Sequence, residues 1–142
     1  MSVTQNKRIA VRFLELVNEG DLEQMYLITT PTWTMEGGPP GLPAGREGVR
    51  ALFDHIGPID QTWTIDDVIA EGDKVVVRAT NICVQESFLG ISGRGIRQVF
   101  TATFTMQVVD GKVDRVWRNG ADLQRLFQLG ARILPPEEPA AA

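Results

Sequence analysis

Phe100-Thr101-Ala102-Thr103-Phe104-Thr105-Met106-Gln107-Val108 decides how this chain is read. Apolar and polar residues alternate along it with a period of two, the mark of a strand with one face in a core and the other toward water. Asp110-Gly111 follows, a pair suited to a two-residue hairpin turn, and Lys112 to Arg118 is read as the returning strand. Upstream, Gln61 to Ala70 and Lys74 to Glu86 flank a Glu71-Gly72-Asp73 turn and read as a second hairpin. Gly90, Gly93 and Gly95 mark the loop between the two hairpins.

Toward the N-terminus the period changes. Ile9, Ala10, Phe13, Leu14, Leu16 and Val17 recur at three- and four-residue steps, giving one face of a helix that Gly20 stops. Asp21 caps a short second helix, with Gln24 three residues on and Leu22, Met25 and Tyr26 as its apolar side. Thr32 to Met35 reads as a short strand, and the glycine- and proline-rich stretch from Glu36 to Arg46 as a loop. Val49, Leu52, Phe53 and Ile56 make a third helix closed by Gly57-Pro58, and Asp122 to Leu129 a last one. The fold class is α+β, with a cone-shaped curved antiparallel sheet wrapped around three to four helices and an apolar pocket inside. One domain spans residues 1–134, and residues 135–142 are expected to be a disordered tail.

Composition excludes several functions. The 142 residues suit one core, with 43% apolar and 23% charged residues. Fourteen basic against eighteen acidic residues give a net charge of −4 and no basic stripe, which argues against a nucleic-acid partner. The single cysteine, Cys83, permits no internal disulfide, and the single histidine, His55, leaves no metal-ligand pattern, so neither metal nor cofactor is expected. The polar N-terminus is no signal peptide and no apolar run spans a bilayer, so a cytoplasmic protein is expected.

Several motifs resemble the nuclear-transport-factor-2-like superfamily: Leu16-Val17-Asn18-Glu19-Gly20-Asp21-Leu22, Ala70-Glu71-Gly72-Asp73-Lys74-Val75-Val76-Val77-Arg78, and the Phe88-Leu89-Gly90-Ile91 to Gly93-Arg94 loop. Asp110-Gly111-Lys112-Val113, Trp117-Arg118 and Gln128-Leu129-Gly130 resemble its SnoaL-like polyketide cyclases and ester cyclases. The resemblance implies a hydrophobic small-molecule substrate and a homodimer formed through the sheet. SnoaL-like aldol cyclases and limonene-type epoxide hydrolases carry a catalytic aspartate after the arginine that Arg118 resembles, where this chain has Asn119. The hydrolases' second aspartate falls nearest Asn81, and their water-holding tyrosine and asparagine fall at Trp33 and Met35. The ketosteroid isomerases' oxyanion-hole tyrosine aligns with Phe13, and their basic aspartate with Met35 or Glu36. Amides and apolar groups thus stand where relatives exchange protons, and an amide exchanges none near neutral pH.

Candidates for the chemistry are therefore Asn119, Asp122 and Asn81. Asn119 could instead cap the last helix, and Asp122 could pair with Arg118 or Arg125. Strand phase, with Phe100 to Met106 sharing one face and Trp117 sharing one with Asn119, nominates Trp33, Met35, Trp63, Phe100, Phe104, Met106 and Trp117 for substrate contact, joined by Phe13 and Tyr26. Glu36 reads as a loop carboxylate, His55 as a partly exposed helix residue, and Cys83 as an inert inner-face residue without a cationic neighbour. The expected function is ring closure of a hydrophobic polyketide by conformational folding, of pericyclic or cycloaddition type. The alternatives are acid–base aldol, dehydratase or isomerase chemistry through Asp122 or Glu36, and a non-catalytic carrier of lipophilic ligands.

Overall fold

A computed structural model describes residues 2–137, so most of the expected C-terminal tail lies outside the described residues. Helix α1 (Val3–Glu19) opens with a capping box between Ser2 and Gln5 and stops at Gly20, whose φ of 69° a side chain would disfavour. Helix α2 (Leu22–Leu27) is capped by Asp21, which accepts from the Gln24 amide. Strand β1 (Thr29–Glu36) then leads through the glycine–proline loop to α3 (Arg46–Ile56). Strands β2 (Asp60–Glu71) and β3 (Lys74–Val84) form the first hairpin. The glycine-marked segment folds a hairpin of its own, β4 (Ser87–Phe88) and β5 (Ile91–Ser92). Strands β6 (Gln98–Val109) and β7 (Lys112–Gly120) make the last hairpin, turned by Asp110 and Gly111 with φ of 48° and 79°, and α4 (Asp122–Gln128) follows.

The main sheet is curved and open, in the order β1-β7-β6-β3-β2. Its pairings are antiparallel except at one edge, where β1 runs parallel to β7. The inner face of β3 carries Val75, Val77, Ala79, Asn81 and Cys83, which stand beside Met106, Phe104, Ala102, Phe100 and Gln98 of β6. Helix α1 covers that face with Ala10, Phe13 and Leu14, and α3 adds Val49, Leu52 and Phe53. No helix among the described residues is long and apolar enough to cross a membrane.

One irregularity sets the chemistry of the interior. From the turn, Val109 pairs with Lys112 and Val108 with Val113, but Gln107 then pairs with Arg115. Asp114 is the extra residue, and a one-residue bulge moves every later side chain to the opposite face. The Thr30 and Thr32 hydroxyls of β1 both donate to the Asp114 carboxylate, at 2.6 and 2.7 Å, and hold the bulge to the sheet edge. Beyond it Phe104 stands beside Arg118 rather than Trp117, so Arg118 turns inward while Trp117 and Asn119 face outward. The sequence expectation assumed an unbroken hairpin, and the bulge reverses the phase of this segment.

Candidate active site

A cavity of about 500 Å³ opens between the glycine–proline loop, the end of α3 and the segment from Gln85 to Leu89. That size lies within the range of small-molecule pockets. Phe13, Leu14 and Val17 of α1, Met35 of β1, Leu52 of α3, Trp63 of β2 and Phe100 and Phe104 of β6 supply its apolar wall. The strand row next to Phe104 carries Ala79, Ala102 and Gly120, all small residues. Trp63 is set by Asn18, whose side chain accepts from the Trp63 amide at 2.7 Å and donates to its carbonyl at 2.8 Å. Its indole meets Phe100 and Phe104 edge-on, at centroid separations of 5.6 and 5.1 Å.

One end of the cavity is charged. Arg118 reaches from β7 across Gly120 and donates both terminal nitrogens to Asp122, at 2.9 and 3.0 Å, and one of them to the Gly37 carbonyl at 3.1 Å. A Cβ on Gly120 would lie 2.5 Å from that guanidinium, and one on Gly37 would overlap the Arg118 carbonyl. Glycine at both positions is what lets Arg118 lie there. Arg125 of α4 is buried, 3.5 Å from Asp122 and from Gln98, with its guanidinium over the Phe88 and Phe100 rings. Burial alone would push the Asp122 carboxyl up, but the Arg118 hydrogen bonds and charge, with Arg125 behind them, hold it below its ordinary value. Burial likewise draws the Arg125 guanidinium down, against the opposing pull of Cys83 and Asp122.

The structure brings together only some of the residues the sequence nominated. Asp122, Met35, Trp63, Phe100, Phe104 and Phe13 line the cavity. Asn119 is exposed on the outer face and does not cap α4, whose N-cap is Ala121, and Trp117 lies on that face beneath Arg115. Trp33 is fully buried beside Phe13, its indole N–H without a partner among the described residues, and Met106 is buried between Val75 and Val116. Tyr26 packs under the Arg46 guanidinium, apart from the cavity. Asn81 is fully buried behind Gln61, a lining residue, and donates to its side-chain oxygen at 3.0 Å. Glu36 is exposed and off the cavity wall, whereas His55 lines it. Cys83 does have a cationic neighbour, Arg125, although burial outweighs it and pushes the thiol up.

Sequence reasoning missed Arg118, Arg125, Gln61, Gln85 and His55 as lining residues. Arg118 was hidden by the bulge. Arg125 carried a usable signal, since it lies three residues after Asp122 and so on the same face of α4.

Comparison with known proteins follows the same lines. The SnoaL-like domain matches residues 10–116, a span that ends before Arg118, Asp122 and Arg125. No curated protein matches the sequence. Among solved structures, TsrD from Streptomyces laurentii is 28% identical with a TM-score of 0.81, covering 93% of this chain and 99% of that one. IdmH from Streptomyces antibioticus, named as a candidate polyketide cyclase, is 25% identical with a TM-score of 0.74, covering 89% and 99%. An epoxide hydrolase of M. tuberculosis, 16% identical with a TM-score of 0.71 over 89% and 90% of the two chains, shares the fold.

Proposed function

The chain belongs to the SnoaL-like family, within the nuclear-transport-factor-2-like superfamily, and from that premise we propose that it is a polyketide cyclase closing a ring within one hydrophobic substrate. The observation that carries this reading is the cavity itself: aromatic and aliphatic on most of its wall, with Arg118, Asp122 and Arg125 clustered at one end. A flexible chain confined there loses the conformations that do not react, and positioning of this kind reaches effective molarities of about 10⁵ M. The two guanidiniums at the charged end suit an oxygen on which negative charge develops, worth roughly 2–4 kcal/mol for a well-placed donor. Asp122, held ionised by Arg118, is a weak base in this arrangement. The reading therefore favours a pericyclic or cycloaddition closure, in which π electrons become ring bonds, no proton leaves and the product is an isomer of the substrate.

The place of Asp122 on the cavity wall favours a second reading, acid–base closure through that carboxylate. Incubation with a linear polyene polyketide precursor, followed by chromatography and mass spectrometry, separates the two. The cycloaddition reading expects a product of unchanged mass formed at a rate flat from about pH 5 to 8, the window above carboxylate titration. A rate governed by one ionisation and abolished in Asp122→Asn transfers the reaction to acid–base chemistry. Binding without ring formation overturns the cyclase reading and leaves a carrier.

A further inference from the structure

Resting on the reading of the cavity as a hydrophobic-ligand site, we propose that its ligand carries a carboxylate and that Arg125 is the subsite that docks it. The charged end of the cavity holds two guanidiniums against one half-exposed carboxylate, that of Asp122. Asp122 gives both oxygens to Arg118 at short range, 2.9 and 3.0 Å, and reaches Arg125 only at 3.5 Å. Arg125 is nonetheless the more buried cation, 7% exposed; it reaches the Gln98 side-chain oxygen at 3.5 Å as well, and it also neighbours the Cys83 thiol, whose pKa burial raises. The other carboxylate on the wall, Glu86, is exposed to solvent. A desolvated cation with no anion at short range is costly, and an incoming anion relieves that cost.

Geometry narrows the ligand further. The Phe88 and Phe100 rings, 3.7 and 4.1 Å from the guanidinium, fix it in place. A carboxylate supplies a counter-ion to that cation in the planar geometry a guanidinium recognises. The excess is a single positive charge, which matches a monoanion better than a phosphate dianion. The apolar remainder of the ligand then lies against Phe100, Phe104 and Trp63.

Titration of the full chain with cis-parinaric acid and with its methyl ester, read by polyene fluorescence at pH 7, tests this. The acid is expected to bind about tenfold or more tightly than the ester, the size of effect a charge-assisted hydrogen bond gives. Arg125→Met should bring the acid down to the ester's affinity and leave the ester's affinity in place. Asp122→Asn should tighten the acid alone, because it releases both guanidiniums. Equal affinities for acid and ester in the unaltered protein overturn the carboxylate subsite and leave the cavity reading standing. A preference that survives Arg125→Met overturns the assignment to Arg125, and failure of both probes to bind overturns the cavity reading with it. The wild-type comparison needs no variant to fold.

Discussion

Adjacent side chains divide between the interior and the outer face. Arg118 and Arg125 face the cavity, while Asn119, beside Arg118 in sequence, faces out. Asn119→Ala is accordingly expected to leave both stability and ring closure unchanged, within the ±0.5 kcal/mol typical of surface substitutions. Chemical denaturation and turnover with a polyene precursor measure this, and a loss of rate beyond twofold would return Asn119 to the mechanism. Asn18 has the opposite character: remote from the charged end, it fixes the main chain of Trp63 from both sides and so sets the aromatic wall. Trp33 shows that an indole is no guide to ligand contact, since its N–H is buried in the helix–sheet core without a partner among the described residues.

Among the elements, β7 is the decisive one. Its bulge at Asp114, tied to Thr30 and Thr32, chooses whether Trp117 and Asn119 or Arg118 enters the interior. Gly120, two residues past Arg118 on the same face, then leaves the space across which Arg118 reaches Asp122. Gly120→Ala puts a methyl group against the end of a flexible side chain rather than against backbone. The fold should survive, with a small change in thermal midpoint, while the guanidinium is displaced and the Asp122 carboxyl rises toward its ordinary value. Carboxyl NMR titration of Asp122 reads that rise, and an unmoved titration would show that Arg118 sits elsewhere. The α+β order and both hairpins were legible because alternation and turn residues are local signals. The bulge was not, since what holds Asp114 is a pair of threonine hydroxyls more than eighty residues away along the chain.

At the scale of the whole molecule, two partly buried, anchored carboxylates contribute to acid stability. The hydroxyls of Thr30 and Thr32 hold Asp114 below its ordinary value, and Arg118 does the same for Asp122 against the effect of burial. A carboxyl depressed in the folded state binds its proton more readily when unfolded. Its stabilisation is therefore complete above about pH 4–5 and is lost as pH falls through the folded value. Thermal midpoints measured from pH 7 down to 2 should fall less steeply in Asp114→Asn and Asp122→Asn than in the unaltered chain, and a steeper fall in the variants would refute the assignment. Taken alone, the sequence determined the class of fold, the order of its elements and an apolar interior, because period, caps and turns act over a few residues. Tertiary structure alone decided what chemistry that interior carries: the bulge that admits Arg118, the glycines that make room for it, and the meeting of Arg118, Asp122 and Arg125 depend on contacts between distant segments, which no local pattern encodes.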